Sequence, residues 1–161
     1  MDAKIQKALN EHLNREFYAS YLYLSMSAYF KRLNLKGFAH WMHLQSQEEI
    51  KHAMKVLDYI IQRGGKVIPE TIQKPEHEWT SPLAVFEHML KFEKGITKKI
   101  HDLVTLAIET NDYATNIFLH WFVSEQVEEE ARVEDVLQKL KMAKDPSAVL
   151  FMDMELGKRE C

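Results

Sequence analysis

Six polar or ionisable residues stand where a helical repeat calls for apolar ones: Glu16, Glu49, His52, Glu93, Gln126 and Glu129. A carboxylate withdrawn from water is costly unless something compensates it. One such residue reads as a partly exposed or hydrogen-bonded core group. All six together read differently, because their spacing repeats. Glu16 to Glu49 and Glu93 to Gln126 both span 33 residues, and His52 and Glu129 each follow their predecessor by three. The two halves are offset by 77 residues, and the same offset takes Asn34 to Asn111, His43 to His120 and Glu48 to Glu125. Four carboxylates, an imidazole and an amide at one level repel one another when empty, and cations relieve that. Carboxylate oxygen with a little imidazole, and no thiolate in reach, suits iron or manganese. Shared carboxylates can hold two such ions close together.

Such a constellation needs long elements to carry it. Four stretches show apolar residues at helical spacing, over about 2–33, 36–62, 82–110 and 113–143. Their stripes run Ile5, Leu9, Leu13, Glu16, Ser20, Tyr23, Ser27, Phe30; then Phe38, Met42, Gln45, Glu49, His52, Val56, Tyr59. The later two run Phe86, Met89, Glu93, Ile96, Ile100, Leu103, Ala107; then Phe118, Phe122, Gln126, Glu129, Val133, Val136, Leu140. Asp2 is placed to cap the first helix, and Ser81-Pro82 opens the third. Each helix is roughly 40 Å long. A short apolar segment, about 147–156, follows Pro146 as a fifth helix. The expected fold class is all-α, a single four-helix-bundle domain over 1–161. Short links make the first pair and the second pair of helices antiparallel. Folding about Asn34 brings Glu16 and Glu49 to one level, and the i, i+3 spacing sets His52 on the same face. The link over about Arg63 to Thr80 holds Gly64, Gly65, Pro69 and Pro75. At up to about 3.3 Å per residue it can run the length of the bundle. It is read as a crossover that makes the second and third helices parallel.

Composition narrows the function classes. With 21 basic and 24 acidic residues the formal charge is −3, so no basic face for nucleic acid is expected. The longest uncharged run, Phe17 to Phe30, is too short to span a membrane. Cys161 is the single cysteine, so no internal disulfide forms and its presence reads as incidental. The opening Met1-Asp2-Ala3-Lys4 has no signal-peptide character. A cytoplasmic location is the expectation.

The segments Leu13-Asn14-Arg15-Glu16, Gln47-Glu48-Glu49-Ile50-Lys51-His52 and Ser124-Glu125-Gln126-Val127-Glu128-Glu129-Glu130 resemble those of the prokaryotic non-haem ferritins. The resemblance covers essentially the whole chain. Related bundles hold two metal ions with Glu-x-x-His motifs and lone glutamates. By resemblance, Glu16, Glu49 and His52 hold one iron and Glu49, Glu93 and Glu129 a second, with Gln126 close by. Glu48, Glu125 and Glu128, with Glu129, match a nearby third iron site. Tyr23 and Trp121 match aromatic residues beside the centre. The resemblance implies a ferroxidase that converts Fe(II) to Fe(III) with dioxygen or hydrogen peroxide. It also implies ferric mineral stored inside a homo-oligomeric shell of 24 subunits, with the short fifth helix near the fourfold axes.

Bacterioferritins differ by a second Glu-x-x-His and a haem-ligating methionine. Gln126-x-x-Glu129 and Ile50 stand at those places here, so no haem is expected. The residues alone also admit a di-iron redox enzyme without storage, or a metal-free structural bundle with surface acids. His12, His40, His43, His77, His88, His101 and His120 are read as surface, subunit-contact or hydrogen-bonded groups.

Overall fold

The computed structural model describes residues 1–160; Cys161 lies outside them. Among the described residues it is all-α: α1 Ala3–Arg32, α2 Lys36–Gln62, α3 Pro82–Glu109, α4 Tyr113–Met142 and α5 Pro146–Leu156. Among these residues no helix is long and apolar enough to cross a membrane.

The ends of these helices are written in local chemistry. Asp2 caps α1, its carboxylate accepting from Lys4 N at 2.7 Å. Ser81 caps α3 and Asp145 caps α5, each with a proline in the first turn, and Asp112 caps α4. Such side chains satisfy amide groups that a helix start leaves unpaired. Asn34 and Asn111, matched by the internal offset, both take positive φ, 59° and 54°. Asparagine tolerates that left-handed turn better than other side chains do. Each therefore reverses the chain between two antiparallel helices.

The crossover over residues 63–81 runs alongside α1. Near its start, Asn10 Nδ2 donates to Lys66 O at 3.0 Å and Ile68 N donates to Asn10 Oδ1 at 2.7 Å. Near its end, Ser25 Oγ donates to Glu76 O at 2.6 Å, and Arg32 grips Glu78 through both guanidinium nitrogens. The link thus carries the chain from one end of the bundle to the other. Pairings across the core fix the directions. Tyr59 stacks on Phe118 at 3.8 Å while Gln45 meets Glu129, so α2 and α4 are antiparallel. The short turn through Asn111 joins the end of α3 to the start of α4 and reverses the chain, so these two are antiparallel as well. Helices α2 and α3 are therefore parallel, as the long link requires.

The predicted stripes are buried throughout except Tyr59 and Phe118, which are half-buried. Apolar layers close both ends of the bundle. Ile5, Leu9, Ile60, Ile100 and Ala107 fill one end, and Phe30, Phe38, Met42 and Phe86 the other. A fully buried side chain of that kind contributes about 1.5–3 kcal/mol, which holds the polar layer between them in place. Helix α5 docks on the start of α2: Phe38 N donates to Asp153 Oδ1 at 2.9 Å. Gly37 permits this, since a Cβ there would lie 1.6 Å from Asp153 O.

Candidate metal centre

The four long helices bring six predicted residues together in mid-bundle, each of them buried. Glu16 comes from α1, Glu49 and His52 from α2, Glu93 from α3, Gln126 and Glu129 from α4. His52 Nδ1 lies 3.0 Å from Glu49 Oε2 and 3.8 Å from Glu16 Oε2. Glu16, Glu49 and His52 each offer a ligand atom within 4.8 Å of the others, and so do Glu49, Glu93 and Glu129. Glu49 belongs to both groups. A third such group joins His52, Glu125 and Glu129. Glu128 is exposed and belongs to none of these groups among the described residues.

Further side chains fix the carboxylates. Tyr23 donates its hydroxyl to Glu93 Oε1. Gln126 Nε2 donates to Glu93 Oε2 at 3.0 Å and to Thr97 Oγ1 at 3.1 Å. Gln45 Nε2 bridges two ligand candidates, at 3.2 Å from Glu49 Oε1 and 2.5 Å from Glu129 Oε2. Arg132 Nη1 donates to Glu129 Oε1 at 3.1 Å. Trp121 stands edge-on to His52, ring centroids 5.3 Å apart. Ser20 and Ser46, with hydroxyl oxygens 3.0 Å apart, keep α1 and α2 close beside the site.

Burial governs the electrostatics. It pushes Glu49 up to about 8, with the Glu16 charge adding and the His52 hydrogen bond opposing. It pushes Glu129 up to about 7, with Glu49 adding and Arg132 opposing. Glu93 is held well above the ordinary carboxylate range by burial and then by the charges on Glu49 and Glu129. Burial, then the same three carboxylates, hold the Tyr23 phenol well above its usual value. For His52, burial acts downward, but hydrogen bonds to Glu16 and Glu49 outweigh it and raise the imidazole to about 11. In the absence of a cation the centre therefore holds protons at neutral pH. A cation that enters displaces them, because ligands bind metal deprotonated.

One expectation needs correction. His12 sits neither at the surface nor in a satisfied hydrogen bond. It is fully buried, and its Nε2 is 3.1 Å from Glu16 Oε1. The approach is poorly aligned, so neither ring nitrogen makes a directed hydrogen bond. The ring instead meets Phe122 edge-on at 5.1 Å between centroids. Its place could have been read from spacing, as could that of Arg132; Gln45 already stands in the α2 stripe. His12 lies four residues before Glu16, Gln45 four before Glu49, and Arg132 three after Glu129. All three therefore share a helix face with a candidate ligand. Among the other histidines, His88 is half-buried and accepts from Trp79 Nε1 at 3.1 Å, and His43 and His120 are exposed.

The donor set is carboxylate oxygen with imidazole nitrogen and no sulfur, which fits iron or manganese. Known proteins agree with that chemistry. A family model for the ferritin-like domain matches residues 6–143. The bacterial non-heme ferritin of Bacteroides fragilis is 46% identical over 156 residues, covering 97% of this chain and 98% of that one. That of Staphylococcus epidermidis is 37% identical over 160 residues, covering 99% and 96%. The crystal structure of an open pore ferritin from the hyperthermophilic archaeon Archaeoglobus fulgidus superposes with a TM-score of 0.98 at 48% identity, covering 99% of each chain. The chain belongs to the ferritin family of iron-storage proteins, with prokaryotic non-haem ferritins as its relatives.

Proposed function

We propose that this buried cluster is a two-iron ferroxidase centre and that the chain stores the product as ferric mineral inside a shell of 24 copies. The single observation that carries the reading is the position of Glu49, common to two converging ligand groups. A carboxylate shared in that way suits a pair of ions acting on one oxidant. Glu16 and His52 complete one side, Glu93 and Glu129 the other. Gln126 holds Glu93 in place and adds an amide beside the second ion.

The substrate Fe(II) ions each give one electron to dioxygen, which takes two protons and leaves as hydrogen peroxide. Hydrogen peroxide can accept one electron from each of two further Fe(II) ions, take up two protons and become two molecules of water. The chain's own groups support both events. The protons that burial keeps on Glu49, Glu93 and Glu129 leave as Fe(II) binds. The anionic carboxylates then favour the more highly charged Fe(III), so ligand charge helps drive oxidation. Tyr23, bonded to Glu93 and buried, keeps that carboxylate oriented without bringing water to it. The finished Fe(III) passes to the interior, where it mineralises. The proposed setting is cytoplasmic.

Stopped-flow oxidation of Fe(II), followed by size-exclusion and iron analysis of the oligomer, tests this. The unaltered chain oxidises Fe(II) rapidly and retains many irons per subunit. The His52→Ala, Glu93→Ala double variant loses fast oxidation yet still forms a helical oligomer. Unchanged kinetics in that variant would reject the assignment. A small oligomer that retains no mineral would favour a redox enzyme without storage.

A further inference from the structure

Beside the two-metal cluster lies a second group of carboxylates, and this chain's own cations already occupy it. Arg132 Nη1 donates to Glu48 Oε2 at 3.0 Å and to Glu129 Oε1 at 3.1 Å. Arg159, just beyond α5, reaches the same Glu48 oxygen with Nη2 at 2.6 Å. Its Nη1 donates to Gln45 Oε1 at 3.0 Å and to Trp41 O at 3.3 Å. The guanidinium lies 4.5 Å from the centroid of the Trp41 ring. Two cations are therefore fixed from different elements onto one carboxylate.

The Arg132 and Arg159 side chains are 31% and 13% exposed. Pairs so sheltered are screened less than surface pairs. A guanidinium does not lose its proton at any ordinary pH, so it cannot vacate the patch by deprotonation. A divalent ion entering between Glu48 and Glu129 has to displace Arg132 from both carboxylates and break two charge-assisted hydrogen bonds.

We propose that Arg132 and Arg159 stand in for a metal ion at the Glu48–Glu129 patch, so that each subunit binds iron at its two-metal centre and not at a third position bounded by Glu48. This rests on the reading of the buried cluster as an iron centre. It departs from the third site, at Glu48, Glu125, Glu128 and Glu129, that the resemblance implies. Glu125 instead lies toward His52, its Oε1 4.0 Å from Nε2.

Zn(II), which is redox-inert, is the probe. Equilibrium dialysis of the assembled protein counts ions per chain for the unaltered protein and for the Arg132→Ser, Arg159→Ser double variant, each with and without Glu48→Gln. The proposal expects Glu48→Gln to leave the count unchanged in the unaltered chain. The double variant gains one ion per chain and loses it again when Glu48→Gln is added. Arg132→Gln with Arg159→Gln, neutral but nearer in size, gives the same reading if the serine variant does not assemble. An ion lost on Glu48→Gln in the otherwise unaltered chain overturns the proposal, as does no gain in either arginine variant. Glu49→Gln is measured in parallel. If it removes no ions, the metal-centre reading fails, and that outcome is distinct from a failure at Glu48.

Discussion

The Tyr23 hydroxyl on α1 donates to the Glu93 carboxylate on α3, and both groups are buried in the middle of the bundle. This bond joins two helices at the level where the ligands converge. It leaves Glu93 with one oxygen held by a phenol and the other by Gln126. Removing the phenolic oxygen strips a hydrogen-bond donor from a desolvated carboxylate. Tyr23→Phe should weaken metal binding on the Glu93 side by about tenfold, the equivalent of roughly 1.4 kcal/mol. Isothermal titration with Zn(II) checks it, and an unchanged isotherm would show that the bond does not position Glu93.

The metal-free protein should lose stability as pH rises above 6.5. In the unfolded chain the carboxylates and His52 titrate near 4.5 and 6.5, so most of their protons are gone by then. The folded centre still holds protons on Glu129 to about 7, Glu49 to about 8 and His52 to about 11. The folded state then binds more protons than the unfolded state, and stability falls with pH. His12 has the opposite sign: burial, then the charges of Arg15 and His52, push it down to about 3, so its contribution grows with pH and levels off about one unit above the unfolded value of 6.5, where the carboxylate and His52 losses continue. Calorimetry should show Tm of the metal-free protein falling between pH 6.5 and 9, with a smaller fall once Zn(II) is bound. A flat metal-free profile would contradict this.

His12→Leu separates two roles of one buried imidazole. The ring makes no directed hydrogen bond, so an apolar replacement of similar size should change stability by less than about 1 kcal/mol. Its Nε2 nevertheless lies 3.1 Å from Glu16 Oε1, so the leucine takes a polar neighbour from that carboxylate, and metal affinity at the Glu16 side should drop several-fold. Thermal melts and Zn(II) titration on the same sample give the two readings. A large fall in Tm with unchanged affinity would make His12 a structural group alone.

The crossover should depend on Asn10 more than on its visible ion pair. Asn10 is 3% exposed and holds Gln6 O, Lys66 O and Ile68 N together. Asn10→Ala should destabilise by about 2–3 kcal/mol through three lost bonds and unpaired backbone groups. Arg32 and Glu78 make a bidentate pair, but both side chains are more than half exposed. Arg32→Ala should change stability by less than about 1 kcal/mol. Urea unfolding of both variants decides the order.

Much of this was legible in the chain because helical periodicity and polar interruptions are local signals. The matched Asn34 and Asn111, the Ser81-Pro82 start and the shared level of Glu16 and Glu49 all follow from spacing and turn chemistry. The tighter details depended on distance in space. That Arg159 reaches Glu48 requires α5 to dock on α2, and Gly37 allows that docking only through a backbone approach no pattern displays. Tyr59 and Phe118 look like core stripe residues, yet they share one stack at the bundle's flank because Ile60 and Leu119 take the buried positions. His12 stands four residues before Glu16, a spacing that puts it on the ligand face, but that signal shows only once Glu16 is taken as a ligand.

The shared role of Glu49 is the central claim, and anomalous diffraction at the iron edge tests it most directly. Crystals of the protein, soaked anaerobically with Fe(II), should show two iron peaks per subunit, one on the Glu16–His52 side and one on the Glu93–Glu129 side, both within ligand distance of the Glu49 carboxylate. A single peak, or two peaks of which Glu49 touches only one, would contradict the account.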